Sequence, residues 1–509
     1  MLSEERIRFV PFSICITGLA AWLAWWAWRF VVEPALRPEA PRELPYLIPV
    51  VGHARSMFMD SNGLFSYARE YLGNSRQVFS LTVMGQELYI ATSPKDVLSV
   101  YKNSKAIGFN PVIRQLLGTF GLRPATLDKM FVENTNGKSW MDISHGNLKL
   151  QMHPGNKLDE LQAEFHGNID NWMRWSRLSG PVVLSAVGED EKVVSLYKWC
   201  SQVLVDSATR AFFGDSLLEL DPDLLKTFFI FDEQSWKLNY HYPYFAAKDM
   251  YNAKSKCETA FANYLALPKE QRKDASWIAQ TLEESMDGLG VLEDSQASPM
   301  LFVLFRVINT NAYRLCFWCL SYLIHDVSLL EELTAEIQPA FQSGGSLSMP
   351  YLLNDCPLLA SLYEETFRIS NYPIGARVVT SQVTVGRKHL RPDKQLLMPY
   401  AQMHFDPEVF GSNANEFDAK RFLRNKNLTR STSYRLFGGG STQCPGRFLA
   451  RREVYLFLAL LLFRFDITLE GDGEKRRFPK MDAKIPSGGV MGPVAGEDVI
   501  LGVKPKKQH

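Results

Sequence analysis

Apolar residues along this chain recur mostly at intervals of three and four, the spacing that lines one face of a helix. Two stretches carry instead the β-branched density of strands, VVTSQVTV at 378–385 and DVILGVK at 498–504. The pattern predicts a mainly α chain with small β-sheets. Two runs are apolar almost throughout. Phe9–Trp28 is twenty residues without a charge, with Trp22, Trp25, Trp26 and Trp28 crowded toward one end. That length and that aromatic belt predict a single N-terminal transmembrane helix within residues 1–33, and the missing small-residue cleavage site argues against a signal peptide. Residues 34–49 follow as a proline-rich hinge, with Pro34, Pro38, Pro41, Pro45 and Pro49 forming a semi-rigid spacer. The second run, Met300–Ile324, holds Arg306, Asn309, Asn311 and Arg314, each costly at membrane depth. It reads as a buried helix, started by Ser298 as N-cap with Pro299 at its first position.

Composition refines this picture little. Of 509 residues, 46% are hydrophobic and 12% aromatic, enough for one large body over residues 50–509, and no linker or repeat divides it. A formal net charge of +1 gives no reason to expect nucleic acid. Locally the balance differs: Lys420–Arg452 holds nine Lys or Arg and no Asp or Glu. Such a run is either a solvated face or a surface that steers an acidic partner. The seven cysteines, at 15, 200, 257, 316, 319, 356 and 444, are odd in number and scattered, which suits a reducing compartment. Cys316 and Cys319 lie within the buried helix and read as small apolar side chains, not a metal half-site.

Cys444 is packaged differently. It sits in FGGGSTQCPGR, Phe437–Arg447, where three consecutive glycines and a Pro-Gly pair surround one thiol. Glycines 438, 439, 440 and 446 permit positive φ and close backbone approach. A thiolate held in this way suits an axial ligand of haem iron, and it pushes electron density onto the metal and favours O–O cleavage. The alternative is an ordinary buried cysteine in a glycine-rich turn. Upstream, Glu365 and Arg368 are three apart on one helical face, with Asp355 as N-cap and Pro357 in the first turn.

The cysteine run resembles the loop of the cytochrome P450 family, Phe-x-x-Gly-x-Arg/His-x-Cys-x-Gly. Phe437, Gly440, Cys444 and Gly446 match, while Thr442 stands at the basic position. His404–Phe422 resembles the family's meander, with Arg421 placed to complete a structural cluster with Glu365 and Arg368. The resemblance extends from about Pro41 and implies the P450 fold and haem b, with Cys444 bound to iron. It also implies that Phe437, Gly438, Gly440 and Gly446 shape the haem-facing loop, and that Arg377 and His145 (or Lys149) reach propionates. Over the distal face, Phe317-Trp318 aligns with the cholesterol 7α-hydroxylase and prostacyclin synthase group. That register places Thr310 at the acid position and Asn311 at the alcohol position of the catalytic pair.

The activity implied by the resemblance is that of a monooxygenase of the endoplasmic reticulum membrane with its body on the cytosolic face. Electrons would come from NADPH through NADPH-cytochrome P450 reductase, and membrane lipid would hold the N-terminal helix. The substrate would be a lipophilic small molecule of terpenoid, steroid or polyketide type, as in secondary metabolite biosynthesis. Asn311 keeps two alternatives open: a reductase-independent isomerase or dehydratase, and a haem-binding protein without turnover. Phe228, Phe229, Phe231, Trp236, Tyr240 and Tyr242 read either as an entrance or as core, with Phe109–Phe131 and Ser487–Pro493 as further walls.

Overall fold

Helices make up most of the chain, and its strands gather into three small sheets, as the apolar spacing predicts. The computed structural model describes residues 4–291, 296–342, 345–471, 476–484 and 488–506, with side chains from Ile16 onward. Two compact units emerge. One holds the chain up to Phe109 together with Ile374–Met403; the other holds Asn110–Pro373 and the chain from His404.

The first unit is built on a six-stranded sheet. Its order is Arg42–Glu43, Phe79–Val83, Gln86–Ile90, Gln395–Pro399, Ile374–Val379 and Ile107–Gly108. Tyr89, Leu396, Met398 and Val379 are fully or almost fully buried in its core. The strand expected over 378–385 divides in two. Ile374–Val379 pairs antiparallel with Gln395–Pro399, whereas Val383–Val385 turns back on Lys388–Leu390. Gly386 makes that turn at φ +61, and a Cβ there would stand 2.5 Å from the Asp96 carboxylate.

The transmembrane helix expected over Phe9–Trp28 is not supported: among the described residues no helix is long and apolar enough to cross a membrane. A helix does run over Glu4–Ala27. Its C-terminal end is engaged by its own unit. Trp22 Nε1 donates to the Leu47 carbonyl at 2.8 Å, and Trp25 packs on Phe30 and Tyr46. The proline-rich hinge is tied down as well: Lys388 Nζ donates to the Pro38 carbonyl at 2.7 Å, and His389 N–H donates to that of Glu39 at 2.7 Å.

The second unit is mostly helical. Its four-stranded antiparallel sheet has the order Phe465–Leu469, Ile500–Pro505, Lys192–Ser195, Val183–Ala186, so the strand expected at 498–504 is shifted by one or two residues. The helices Leu196–Phe213, Ala312–Ile324, Pro357–Ser370 and Arg447–Arg464 bury Trp199, Trp318, Tyr363 and Tyr455. The helix expected over Met300–Ile324 is two helices, Ala297–Asn309 and Ala312–Ile324. Its start is earlier than expected: Gln296 is the N-cap, and Ser298 and Pro299 lie within the first turn. Asp355 does not cap the Pro357–Ser370 helix either. The Glu336 carboxylate takes that role from another helix, accepting from Leu358 N–H at 2.8 Å and Leu359 N–H at 2.9 Å, where an anion also opposes the positive helix end.

Candidate active site

The cysteine loop is fixed from its own backbone outward. Cys444 N–H donates to the Phe437 carbonyl at 3.0 Å, and the Phe437 ring meets Phe367 edge-on at a centroid distance of 5.0 Å. Gly438 and Gly440 take φ of 71° and 65°, which only glycine adopts at little cost. Gly439 and Gly446 do not need that freedom, since their φ values are −176° and −73°. The Gly446 N–H points at the Cys444 sulfur and, with Arg447, opposes the upward pull of burial on the thiol pKa. Cys444 is surface-accessible yet surrounded by protein. One soft donor, backed by a backbone N–H and open on one side, fits the axial position of a haem iron. The other described cysteines are buried and free; for Cys319 burial raises the thiol pKa to about 12. Among the described residues no three His, Cys, Asp or Glu side chains form a metal-binding group.

Below the loop, Glu365, Arg368 and Arg421 come together. The Arg368 guanidinium grips Glu365 with two bonds of 2.8 Å from Nε and Nη2. Its Nη1 donates to the carbonyls of His404 at 2.8 Å and Ala414 at 2.7 Å. Arg421 Nε donates to Glu365 at 3.0 Å, and its other nitrogens donate to the carbonyls of Phe410, Asn413 and Glu416. The Asp418 N–H adds a bond of 3.1 Å to Glu365. All three side chains are buried. Every stretch of the meander that passes them is therefore bonded to the Pro357–Ser370 helix. His404 extends this network to the loop by accepting from Arg435 N–H at 3.1 Å. Burial, and then the Arg368 charge, lower its pKa to about 3, so it is neutral. The sequence offered no sign of this role for His404.

Thr310 and Asn311 form the gap between the two halves of the distal helix. Side chains satisfy the carbonyls that the break exposes. Thr310 Oγ1 donates to the Arg306 carbonyl at 2.7 Å, and Arg314 Nη1 donates to that of Thr310 at 2.9 Å, a recognisable cause of a helix kink. Asp232, from the Leu224–Gln234 helix, accepts from Thr310 Oγ1 at 3.1 Å, Tyr313 OH at 2.9 Å and Arg314 Nη2 at 2.7 Å. The Asn311 amide oxygen accepts from Val490 N–H at 2.9 Å. That bond closes a link, since Val490 bridges to Asn371 and Asn371 Nδ2 donates to the Leu436 carbonyl at 3.0 Å beside the cysteine loop. Sequence reasoning missed Asp232; its only signal was a pair of acids ending an aromatic segment, FFIFDEQ.

The remaining candidates fall into place around these groups. His145 Nε2 and Lys149 Nζ both reach the Ser441 carbonyl, at 3.2 and 3.1 Å, so they brace the cysteine loop. Arg377 belongs to the other unit, where it is buried with its guanidinium over the Phe109 ring at 4.4 Å. Phe228 and Phe231 are core, packed on Phe305 and Phe302, while Tyr244 and Phe245 are exposed. Ser487 lies outside the described residues. The basic run is less bare than its sequence: Lys420, Arg421, Arg424, Arg451 and Arg452 pair with Glu332, Glu365, Asp418, Glu364 and Asp159.

The chain matches the family profile described as Cytochrome P450 over residues 41–491. It is 25% identical over 456 residues to the cytochrome P450 monooxygenase poxD of Penicillium oxalicum, covering 87% of this chain and 90% of the relative. Cytochrome P450 7A1 of Sus scrofa is 24% identical over 422 residues, 77% of this chain and 80% of that one. A bifunctional cytochrome P450/NADPH–P450 reductase of Alternaria alternata, ALT2, is 27% identical over 179 residues, 35% of this chain and 16% of its own length.

Proposed function

The chain belongs to the cytochrome P450 family, and on that footing we propose that it oxidises a lipophilic small molecule with O₂, drawing electrons from NADPH through a separate reductase. Fungal relatives named as monooxygenases support the reaction type, and ALT2 supports a reductase as the source of electrons. The observation that carries the reading is the accessible Cys444 thiol on a loop tied by hydrogen bonds to the buried Asn371 and His404.

Haem, when bound, supplies the reductive activation of O₂. Cys444 holds the iron, and Gly446 N–H and Arg447 favour its thiolate form. Phe437, Gly438, Gly440 and Gly446 shape the loop, with His145 bracing it through Ser441. Arg377 is proposed as a propionate partner because it is a buried cation on a strand. Glu365, Arg368 and Arg421 hold the meander still and take no part in chemistry. On the distal side Thr310 Oγ1 is the hydroxyl proposed to relay a proton with water, held at the break by the Arg306 carbonyl and Asp232. Asn311 acts differently: its oxygen is committed to Val490, so its part is to hold the break in shape.

Attachment to the endoplasmic reticulum membrane without a spanning helix is proposed from the uncharged, aromatic-rich sequence at 9–28; flotation of the full chain with microsomal vesicles tests it. Kinship with fungal monooxygenases makes a terpenoid, steroid or polyketide intermediate the proposed substrate. A second reading, peroxide rearrangement without reductase, is favoured by Asn311 at the alcohol position. Reconstitution with NADPH, reductase and O₂ separates the two. Product formed in step with NADPH consumption supports the monooxygenase; turnover of a hydroperoxide alone supports the rearrangement.

A further inference from the structure

Arg306 carries a charge that the fold does not match. It lies one turn before the break in the distal helix, half-buried, and desolvation lowers its pKa. Its Nε has no hydrogen-bond partner, and Nη2 reaches only the Ser235 hydroxyl, at 3.3 Å. Among the described residues no carboxylate lies within ion-pair distance of it. The closest source of negative charge, Asp232, is committed to Arg314, Tyr313 and Thr310. Two guanidinium groups thus share one buried carboxylate, and a cation kept out of water without a counter-charge is among the costliest arrangements in a protein interior.

The same helix face is left partly open. Val303, Arg306, Val307 and Thr310 all keep exposed surface, and Val307 is 54% exposed, while Phe302, Phe305 and Asn309 on other faces are buried. Accessibility at i, i+3, i+4 and i+7 is one stripe of a helix. That stripe is the face of the helix that the protein leaves least covered. The guanidinium also rides 5.8 Å over the Phe120 ring, which Phe231 and Phe302 support, so its position is held before any ligand arrives.

We infer that Arg306 is the anion-recognising residue of the substrate cavity and that the substrate is a lipophilic carboxylic acid. Its carboxylate pairs with the guanidinium, and its apolar body lies along Val303 and Val307 toward Thr310. An arginine presents a fork that matches a carboxylate in two bonds. The inference rests on the monooxygenase reading for the identity of the cavity.

The test uses purified, haem-loaded protein and three matched sets of probes: a straight-chain fatty acid, a fused-ring terpenoid acid and a steroid acid, each with its methyl ester. Calorimetry and the Soret shift report binding, and the ferrous carbonyl spectrum checks the haem ligand independently. In at least one set the acid is expected to bind about tenfold or more tightly than its ester. Arg306→Met should abolish that preference and leave ester binding unchanged, while Arg306→Lys should retain part of it. Without ligand, Arg306→Met should melt above the wild type, because an uncompensated charge has been removed. Equal binding of acid and ester in all three sets, a preference that survives in Arg306→Met, or a lower melting temperature of that variant would each overturn the inference. A wrong carbonyl spectrum would instead count against the monooxygenase reading.

Discussion

Two buried ion clusters in the same unit end in opposite states. At the cysteine loop, Arg368 and Arg421 divide their donors among Glu365, the Asn413 side-chain oxygen and five backbone carbonyls, and nothing is left over. At the distal break, Arg306 and Arg314 face one carboxylate, and Arg306 keeps an unpartnered nitrogen. The first cluster is fully buried and the second only in part, yet it is the second that is left unsatisfied. A saturated cluster is a fastener, because any change in it leaves a charge stranded. An unsaturated one is a place made for something the chain itself lacks.

The contrast breaks most visibly at Glu365. Glu365→Ala strands two buried guanidinium groups and should lower stability by about 3–5 kcal/mol, with loss of haem retention. Urea denaturation and the haem-to-protein ratio check this, and a change below about 1 kcal/mol would remove the fastener reading. Asp232→Asn should cost somewhat less, about 3 kcal/mol, since one of its two arginines is uncompensated already. Replacing Arg314 with Met in the same chain should recover much of that loss, a non-additivity that the double-mutant cycle measures.

His404 sharpens the comparison through pH. Its folded pKa, about 3, lies below its unfolded value. Its contribution is therefore complete above the unfolded pKa of about 6.5 and drains away as the pH falls toward 3. By pH 5 the loss should reach about 2 kcal/mol. Denaturation midpoints at pH 7, 6 and 5 should show this acid-side slope, and His404→Phe should flatten it. The smallest change has the opposite sign. Arg306→Met should raise stability by about 1 kcal/mol, the reverse of what any substitution at Arg368 would do.

The same two regions show what a one-dimensional reading can reach. Glu365 and Arg368 are legible because three-residue spacing puts them on one face, and Arg421 because the meander has a recognisable order. The cysteine loop is legible in its glycines, although only Gly438 and Gly440 need theirs. The distal break leaves one trace, the mid-helix Asn309 and Asn311, which also read as satisfying a helix bulge. Hydrophobic periodicity continues through Met300–Ile324, and the interruption is held by Thr310 and Arg314 reaching back to freed carbonyls, contacts that periodicity does not encode. Glu336 as a cap and Asp232 as a counter-charge were missed for the same reason, as each acts on a helix other than its own. Arg306 was seen only as an argument against a membrane span, since its missing partner shows only in three dimensions. The N-terminal anchor fails differently: the uncharged run is real, but Trp22 and Trp25 at its C-terminal end are occupied within their own unit.

The most direct test of the account is the ferrous carbonyl spectrum of the intact protein beside that of Cys444→Ser. The account predicts the long-wavelength Soret band that a thiolate ligand imposes, and its loss in the variant together with NADPH-dependent turnover. A wild-type band at the shorter wavelength of an imidazole or neutral-thiol ligand, or a variant that keeps the long-wavelength band and full turnover, would contradict it.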